Sequence, residues 1–408
     1  MKKKIEVGTV IFIVIVAVVL SCIATYMYLT SLMPSLVAKE TFYDKIAEVN
    51  KTIEQRYVGE VDEKASMDSL LSGYVSGIDK YSTYLDADSY ASYTAQLDGK
   101  YSGVGITVKY ITKSGYLKII DVKSNSPADK VGLKTGDIIS KIGETNIADI
   151  SYEEAVALLK AENGTEISIV IIRDEKEIEK KVTVAEYLTS SVEYEMMYGD
   201  VGYVAISEFD NTTYEDFKKA IEQLNVQGAS HYIFDVRNNT GGSLGAVVNI
   251  LDYLLPEGVL VTLQDKSGEK KEYKSDKSSF DKEYTVLING STYSGGELFA
   301  AAIRDFKAGK LIGETTYGKG YAQEIIPLSD GALYLSTKLY SPPSGENYEG
   351  IGVSPDVEVA LTPELEERFY ELKPSEDLQI VAALEALGVK IAQTETVDTS
   401  DSQNDESN

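Results

Sequence analysis

Ser294 lies in the run Thr292-Tyr293-Ser294-Gly295-Gly296-Glu297, between an apolar β-branched stretch, YTVLIN, and GELFAAAIRDF, which has a helical pattern. A hydroxyl at a strand-to-helix turn, with glycines behind it, can face the main-chain N–H groups of a helix N-terminus, and such groups bind an oxyanion. The same residues also make an ordinary helix N-cap, and the pattern by itself does not separate the two. A second turn of similar build, Asp235-Val236-Arg237-Asn238-Asn239-Thr240-Gly241-Gly242, ends the strand pattern HYIFDV. Alone it could be a plain turn; beside Ser294 it offers further main-chain donors to a developing negative charge.

Serine is a poor nucleophile at neutral pH without an adjacent base, and a Ser-His-Asp triad needs a histidine. The chain has one, His231, at the start of HYIFDV. The start of a parallel strand is at the far end of the sheet from the functional crevice, so His231 reads as structural. The one cysteine, Cys22, sits in the most apolar stretch, which excludes a cysteine protease and a thiolate metal site. A lysine can serve as base when desolvation or nearby positive charge keeps its amine neutral. Lys319, in Gly318-Lys319-Gly320, is the candidate, because flanking glycines let the main chain approach closely. A solvated lysine is the plain alternative at this point. Asp86-Ala87-Asp88 has the start of a calcium loop but not its glycine and terminal glutamate, and reads as a helix cap. No metal and no cofactor is expected.

The elements around these residues divide the 408-residue chain into segments. Residues 187–390 alternate strand and helix patterns, as in an α/β layer with a largely parallel buried sheet. Residues 97–186 read as a small β-rich module of short strands with one helix, SYEEAVALLKAENG, started by a Ser151/Glu154 capping box. Residues 39–96 read as helices, with Phe42, Ile46, Val49 and Ile53 on one face. No charge occurs from Val7 to Ala38, which is longer than the ~20 residues that cross a bilayer. With Lys2, Lys3 and Lys4 before it, residues 1–38 read as a transmembrane anchor with a cytoplasmic N-terminus and everything after about Ser35 outside. A cleaved signal peptide is the competing reading, but its apolar region runs only ~7–15 residues. Residues 391–408 read as an acidic disordered tail. The net charge of −26 argues against a nucleic-acid partner.

Taken together, these segments resemble the carboxy-terminal processing proteases, serine peptidases of family S41 with a Ser-Lys dyad. The resemblance rests on a serine three residues before a glutamate, a lysine twenty-five residues later within Gly-Lys-Gly, and a glutamine four beyond it: Ser294, Lys319 and Gln323. GYVAISEFD, DVRNNTGG, DGALYLSTKLYSPPSG and EGIGVSPDV also resemble family segments, over about residues 40–390. Two departures occur. Thr240 stands where the family usually has proline, and Tyr293-Ser294-Gly295-Gly296 replaces Ala-Ser-Ala-Ser; glycine after the serine keeps the N–H.

The resemblance implies a crotonase/tail-specific-protease-like α/β core in which Ser294 attacks, Lys319 is the base and Gln323 orients it. It places the oxyanion on N–H groups of Gly295 and of Gly241 or Gly242. The small module resembles a PDZ domain, with Gly103, Val104, Gly105 and Ile106 in its carboxylate-binding loop. Such a domain adds a peptide as a strand and holds its terminal carboxylate, so protein substrates with apolar C-termini are the implied partners. The family likeness further implies a homodimer formed through residues 39–96 and the C-terminal helices, and a PDZ module that gates the active site. A catalytically inactive peptide-binding scaffold and a ligand-binding protein of the same architecture are the alternatives; both predict a decayed dyad, yet all three side chains are present.

Overall fold

The computed structural model describes residues 7–32 and 34–389. The lysines at 2–4 and the tail at 391–408 lie outside the described residues. The chain forms two units that meet in sequence between Leu70 and Leu71. In the first, α1 (Val7–Leu32) contains Val10–Leu29, a 20-residue stretch whose length and composition suit a membrane span and equally an N-terminal signal sequence. In α2 (Pro34–Arg56), Phe42, Val49 and Ile53 of the expected apolar face are exposed. α3 (Glu63–Ser76) runs across the division.

The second unit begins differently from the all-helical reading of residues 39–96, because β1 (Thr83–Leu85) is a strand and α4 (Ala87–Leu97) follows it. Asp86 caps α4, its carboxylate accepting the Ser89 N–H at 2.7 Å, so Asp86-Ala87-Asp88 is a helix start as expected. β2 (Lys100–Gly103) leads into a module of β3 (Ile106–Ile111), β4 (Tyr116–Val122), α5 (Pro127–Lys130), β5 (Ile138–Ile142), β6 (Thr145–Asn146), α6 (Tyr152–Leu159), β7 (Glu166–Arg173) and β8 (Lys176–Thr183). β9 (Ala185–Leu188) leads out and pairs antiparallel with β2. The module has its own core, including Leu117, Ile119, Ile139, Ile169 and Ile171. Its sheet runs β3-β4-β5-β7-β8, leaving β3 as an edge strand. α6 starts at the Ser151/Glu154 capping box.

The remainder is β10 (Val192–Met197), β11 (Val201–Ile206), α7 (Thr213–Gln227), β12 (His231–Asp235), α8 (Leu244–Leu254), β13 (Gly258–Asp265), β14 (Lys270–Ser275), β15 (Glu283–Ile288), α9 (Gly295–Phe306), β16 (Lys310–Gly313), β17 (Tyr321–Pro327), β18 (Ala332–Ser341), β19 (Val357–Glu358), α10 (Pro363–Glu367) and α11 (Leu378–Ala386). One sheet runs β10-β11-β12-β15-β16-β19, parallel except for β10. Side chains alternate across its strands. Phe234 and Val286 join the core shared with α7, α8 and α9, whereas Ile233 and Leu287 meet Ile380 and Leu384 of α11. Burial on both faces explains the near-continuous apolar runs that mark these strands in the sequence. A second, antiparallel sheet, β1-β18-β13-β14 with β17 on β18, packs Leu260, Leu263 and Tyr340 into the same core as the three helices.

Candidate active site

At the carboxyl ends of β12 and β15 the chain makes two polar turns that are bonded to each other. Asn238 and Asn289 exchange amide hydrogen bonds at 3.0 Å. Thr292 Oγ1 donates to the Val236 carbonyl at 2.8 Å, and the Tyr293 N–H to the Asn239 carbonyl at 3.0 Å. Ser294 emerges from this pair as the N-cap of α9, 7% exposed, with φ 57° and ψ −115°. A non-glycine residue held there costs about 1–3 kcal/mol, and it persists only where its neighbours over-determine it. The neighbour here is Glu297, whose Oε2 accepts the Ser294 N–H at 2.9 Å.

Glu297 is fully buried and takes hydrogen bonds from a second segment as well. The same Oε2 accepts the Lys319 N–H at 2.7 Å, and Oε1 accepts the Gly318 N–H at 2.6 Å and Thr316 Oγ1 at 2.5 Å. One carboxylate oxygen therefore holds the backbones of both Ser294 and Lys319. Burial pushes the Glu297 carboxyl above its ordinary range, and these four donors pull it back.

Lys319 is 6% exposed, and its Nζ lies over two aromatic rings, 5.1 Å from the Tyr81 ring centre and 5.3 Å from that of Tyr293. Burial lowers its amine below the ordinary lysine value, against the pull of Asp79, Glu297 and Glu349. The flanking glycines are both required. A Cβ on Gly318, at φ 90°, would come within 3.1 Å of three backbone nitrogens of residues 350–352, and one on Gly320 would overlap the Asn347 amide at 2.3 Å. Gln323, on β17, donates from Nε2 to Ser336 Oγ at 3.3 Å, and Ser336 Oγ is 3.4 Å from Ser82 Oγ.

Of the glycines of the other turn, Gly241 lies against the serine and Gly242 against the Phe209 backbone. A Cβ on Gly241 would lie 2.7 Å from the Gly295 nitrogen and 3.2 Å from Ser294 Oγ, so this close approach excludes any side chain. Gly241 donates its own N–H to Asn239 Oδ1 at 2.7 Å, which leaves Gly242 as the donor of that pair without an acceptor among the described residues. His231 lies at the start of β12, the opposite end of that strand, with Nδ1 2.9 Å from Ser230 Oγ and 3.4 Å from Asp200.

In the β-rich module, Gly103 and Gly105 have φ of 146° and 84°, and a Cβ on Gly105 would overlap Ser126 at 2.1 Å. The carbonyls of Val104 and Gly105 are bonded to the Ala128 and Lys123 N–H groups. Ile106 then opens the edge strand β3, whose Tyr110 ring touches Tyr152 at the start of α6. A free strand edge beside a helix suits an added peptide strand.

Sequence reasoning passed over Asp79, Tyr81, Ser82, Ser336 and the ring of Tyr293. The alternation in Tyr81-Ser82-Thr83-Tyr84-Leu85 is a strand signal within a stretch read as helical.

Comparison with known proteins agrees with this layout. The model of Peptidase family S41 matches residues 200–359, and that of the PDZ domain matches residues 102–184. A carboxy-terminal-processing protease of Bartonella bacilliformis is 30% identical over 325 residues, covering 77% of this chain and 74% of the relative. A carboxyl-terminal-processing protease of Synechocystis is 31% identical over 322 residues, covering 76% and 75%. A solved structure of a putative S41 protease from Bacteroides fragilis, 17% identical, superposes with a TM-score of 0.58 over 82% of this chain and 91% of that one, a likeness of fold.

Proposed function

Because the chain belongs to the carboxy-terminal-processing proteases of peptidase family S41, we propose that it is a membrane-tethered endopeptidase in which Ser294 and Lys319 form the dyad and the PDZ domain holds substrate C-termini. The observation that carries the dyad is the single Glu297 oxygen bonded to both backbones. Lys319, its amine lowered by burial, takes in its neutral form the Ser294 Oγ proton as the oxygen attacks the scissile carbonyl, and returns a proton to the leaving amine. The carbonyl oxygen that becomes negative is stabilised by the Gly295 and Gly242 N–H groups, since the Gly241 N–H is already committed to Asn239. The acyl-enzyme is then hydrolysed by water, with Lys319 again as base. Gln323, which donates to Ser336 Oγ, orients the lysine.

The PDZ loop at Gly103, Val104, Gly105 and Ile106 takes an apolar C-terminus, the peptide lying along β3. A peptide with a free carboxylate is expected to bind the full chain at least about 10-fold more tightly than its amidated twin, since a charge-assisted hydrogen bond contributes roughly 1.5–3 kcal/mol. Titration calorimetry on the Ser294→Ala chain checks this, and equal affinity overturns it.

α1 anchors the chain with residues 1–6 in the cytoplasm and the catalytic part outside, and the exposed apolar face of α2 pairs two copies. Fractionation of cells and sedimentation of the chain from residue 35 onward test these two points. The protease reading is tested by the full chain in mild detergent: it hydrolyses an unfolded protein, and a fluorophosphonate labels Ser294. A folded preparation that does neither, with a C-terminal peptide present, sinks the reading.

A further inference from the structure

The segment Asp79–Ser82 lies upstream of the PDZ domain in sequence, yet it touches every arm of the Lys319 loop. Tyr81 lays its ring against the Lys319 amine, as Tyr293 does. Its hydroxyl donates to Glu349 Oε1 at 2.8 Å and lies 3.4 Å from the Gly318 carbonyl. The other Glu349 oxygen accepts the Gly320 N–H at 2.7 Å, so both glycines that flank the lysine are tied to Tyr81. Asp79 fixes the segment itself, accepting the Tyr81 and Ser82 N–H groups at 2.7 and 2.6 Å and the Ser82 hydroxyl at 2.9 Å. Ser82 Oγ in turn accepts the Ser336 N–H at 3.1 Å and stands beside the hydroxyl to which Gln323 donates. β1 pins the register by pairing Thr83 with Tyr334 and Leu85 with Ala332.

We propose that Tyr81 is a positioning residue for the Lys319 amine, one wall of a two-tyrosine slot that excludes water and aims the amine, with Asp79 and Glu349 holding that wall in place. This rests on the reading of Lys319 as the base. The charged groups around the amine are Asp79, Glu297 and Glu349, all of which favour its protonated form; the Lys80 ammonium also sits on the Tyr81 ring, 4.7 Å from its centre. Burial opposes the three carboxylates and is the larger influence. Removing the ring has two opposite effects. Loss of the cation–π contact, about 2 kcal/mol for a desolvated amine and so roughly 1.5 pKa units, lowers the amine's pKa, whereas hydration raises it, and full burial can be worth ~3–5 units, so hydration wins.

The experiment is the pH profile of kcat/KM for peptide hydrolysis by the full chain in detergent. The base must be neutral, so activity rises with pH through its pKa. Tyr81→Leu is expected to move that acid limb alkaline by about one unit, to lose about 10-fold at neutral pH, and to recover most of it at high pH with KM unchanged. Tyr81→Phe, which keeps the ring but loses the hydroxyl's bond to Glu349, moves the limb by less than Tyr81→Leu. Should Tyr81→Leu fail to fold, Tyr81→Met, which trims the wall less and leaves the surrounding charges unchanged, is expected to move the limb in the same direction by less. A loss of equal size at every pH, a Tyr81→Phe limb that moves as far as that of Tyr81→Leu, or an unmoved limb in Tyr81→Met overturns the proposal. Lys319→Ala separates the two readings: if it remains active the dyad fails, whereas an inactive Lys319→Ala with an unmoved Tyr81→Leu limb sinks the slot alone.

Discussion

Ser294→Ala and Lys319→Ala are each expected to lower kcat/KM for an unfolded protein by at least about 10³-fold, and the double variant to lose little more than either single one. Residues that act as one unit are non-additive, because removing either partner already disables the attack. What survives is the contribution of the oxyanion donors and of substrate binding, which neither change touches. Parent activity should rise with pH along an acid limb below 10.5, the ordinary lysine value, because burial lowers the Lys319 amine. The same burial sets the sign of a stability effect. An amine whose folded pKa is depressed supports the fold only above the unfolded pKa, and it opposes the fold at neutral pH, where the unfolded chain binds the proton more readily. Lys319→Met is therefore expected to melt at a higher temperature than the parent at pH 7 while hydrolysing nothing. A Lys319→Met chain of unchanged or lower melting temperature would show that the amine is not held against its charge.

Glu297→Ala is expected to have the largest effect on the fold around the site. It orphans the N–H groups of Ser294, Gly318 and Lys319 and the hydroxyl of Thr316, all of which bond to a carboxylate that is fully buried. Each buried donor left unsatisfied costs about 1–3 kcal/mol, so a loss of roughly 3–5 kcal/mol follows even if half of them find water. Glu297→Gln keeps the shape but turns an NH₂ toward donors on one side, and should cost less, about 2–3 kcal/mol. Both are expected to lose activity, because the backbone conformation of Ser294 is held through that carboxylate. Urea denaturation monitored alongside peptide cleavage checks this. If Glu297→Ala has the urea midpoint of the parent, the carboxylate does not tie the two loops.

The parts of the site that were legible in the sequence are those whose local pattern and chemistry coincide. Ser294 follows a buried parallel strand and opens a helix, and Gly241, Gly318 and Gly320 stand where another backbone or side chain approaches too closely for a Cβ. Their types and spacings carry the constraint. Tyr81 carries none, because its partners Gly318 and Glu349 are far along the chain, and Asp79, whose bonds to Tyr81 and Ser82 are local, matters only through the place Tyr81 takes. Glu349 lies in a stretch that resembles the family, but its role exists only once Tyr81 and Gly320 are brought to either side of it. β1 is three residues long, too short for its alternation to outweigh the helical segments around it. The commitment of the Gly241 N–H to Asn239 is likewise a matter of folded geometry, since either glycine fits the turn equally well on paper.

The separation of Tyr81 from its partners has a consequence in time. Tyr81 reaches the Gly318 carbonyl across 237 residues and Glu349 across 268, and Tyr84 reaches the Asp330 carbonyl across 246. During synthesis at roughly 5–20 residues per second the segment waits ten seconds or more for them, while the PDZ domain, whose strands are close in sequence, can already be folded. The contacts that hold the Lys319 loop are then complete only after residue 349 has been made. A nascent chain thus completes its PDZ domain well before the loop that carries Lys319 has all its partners.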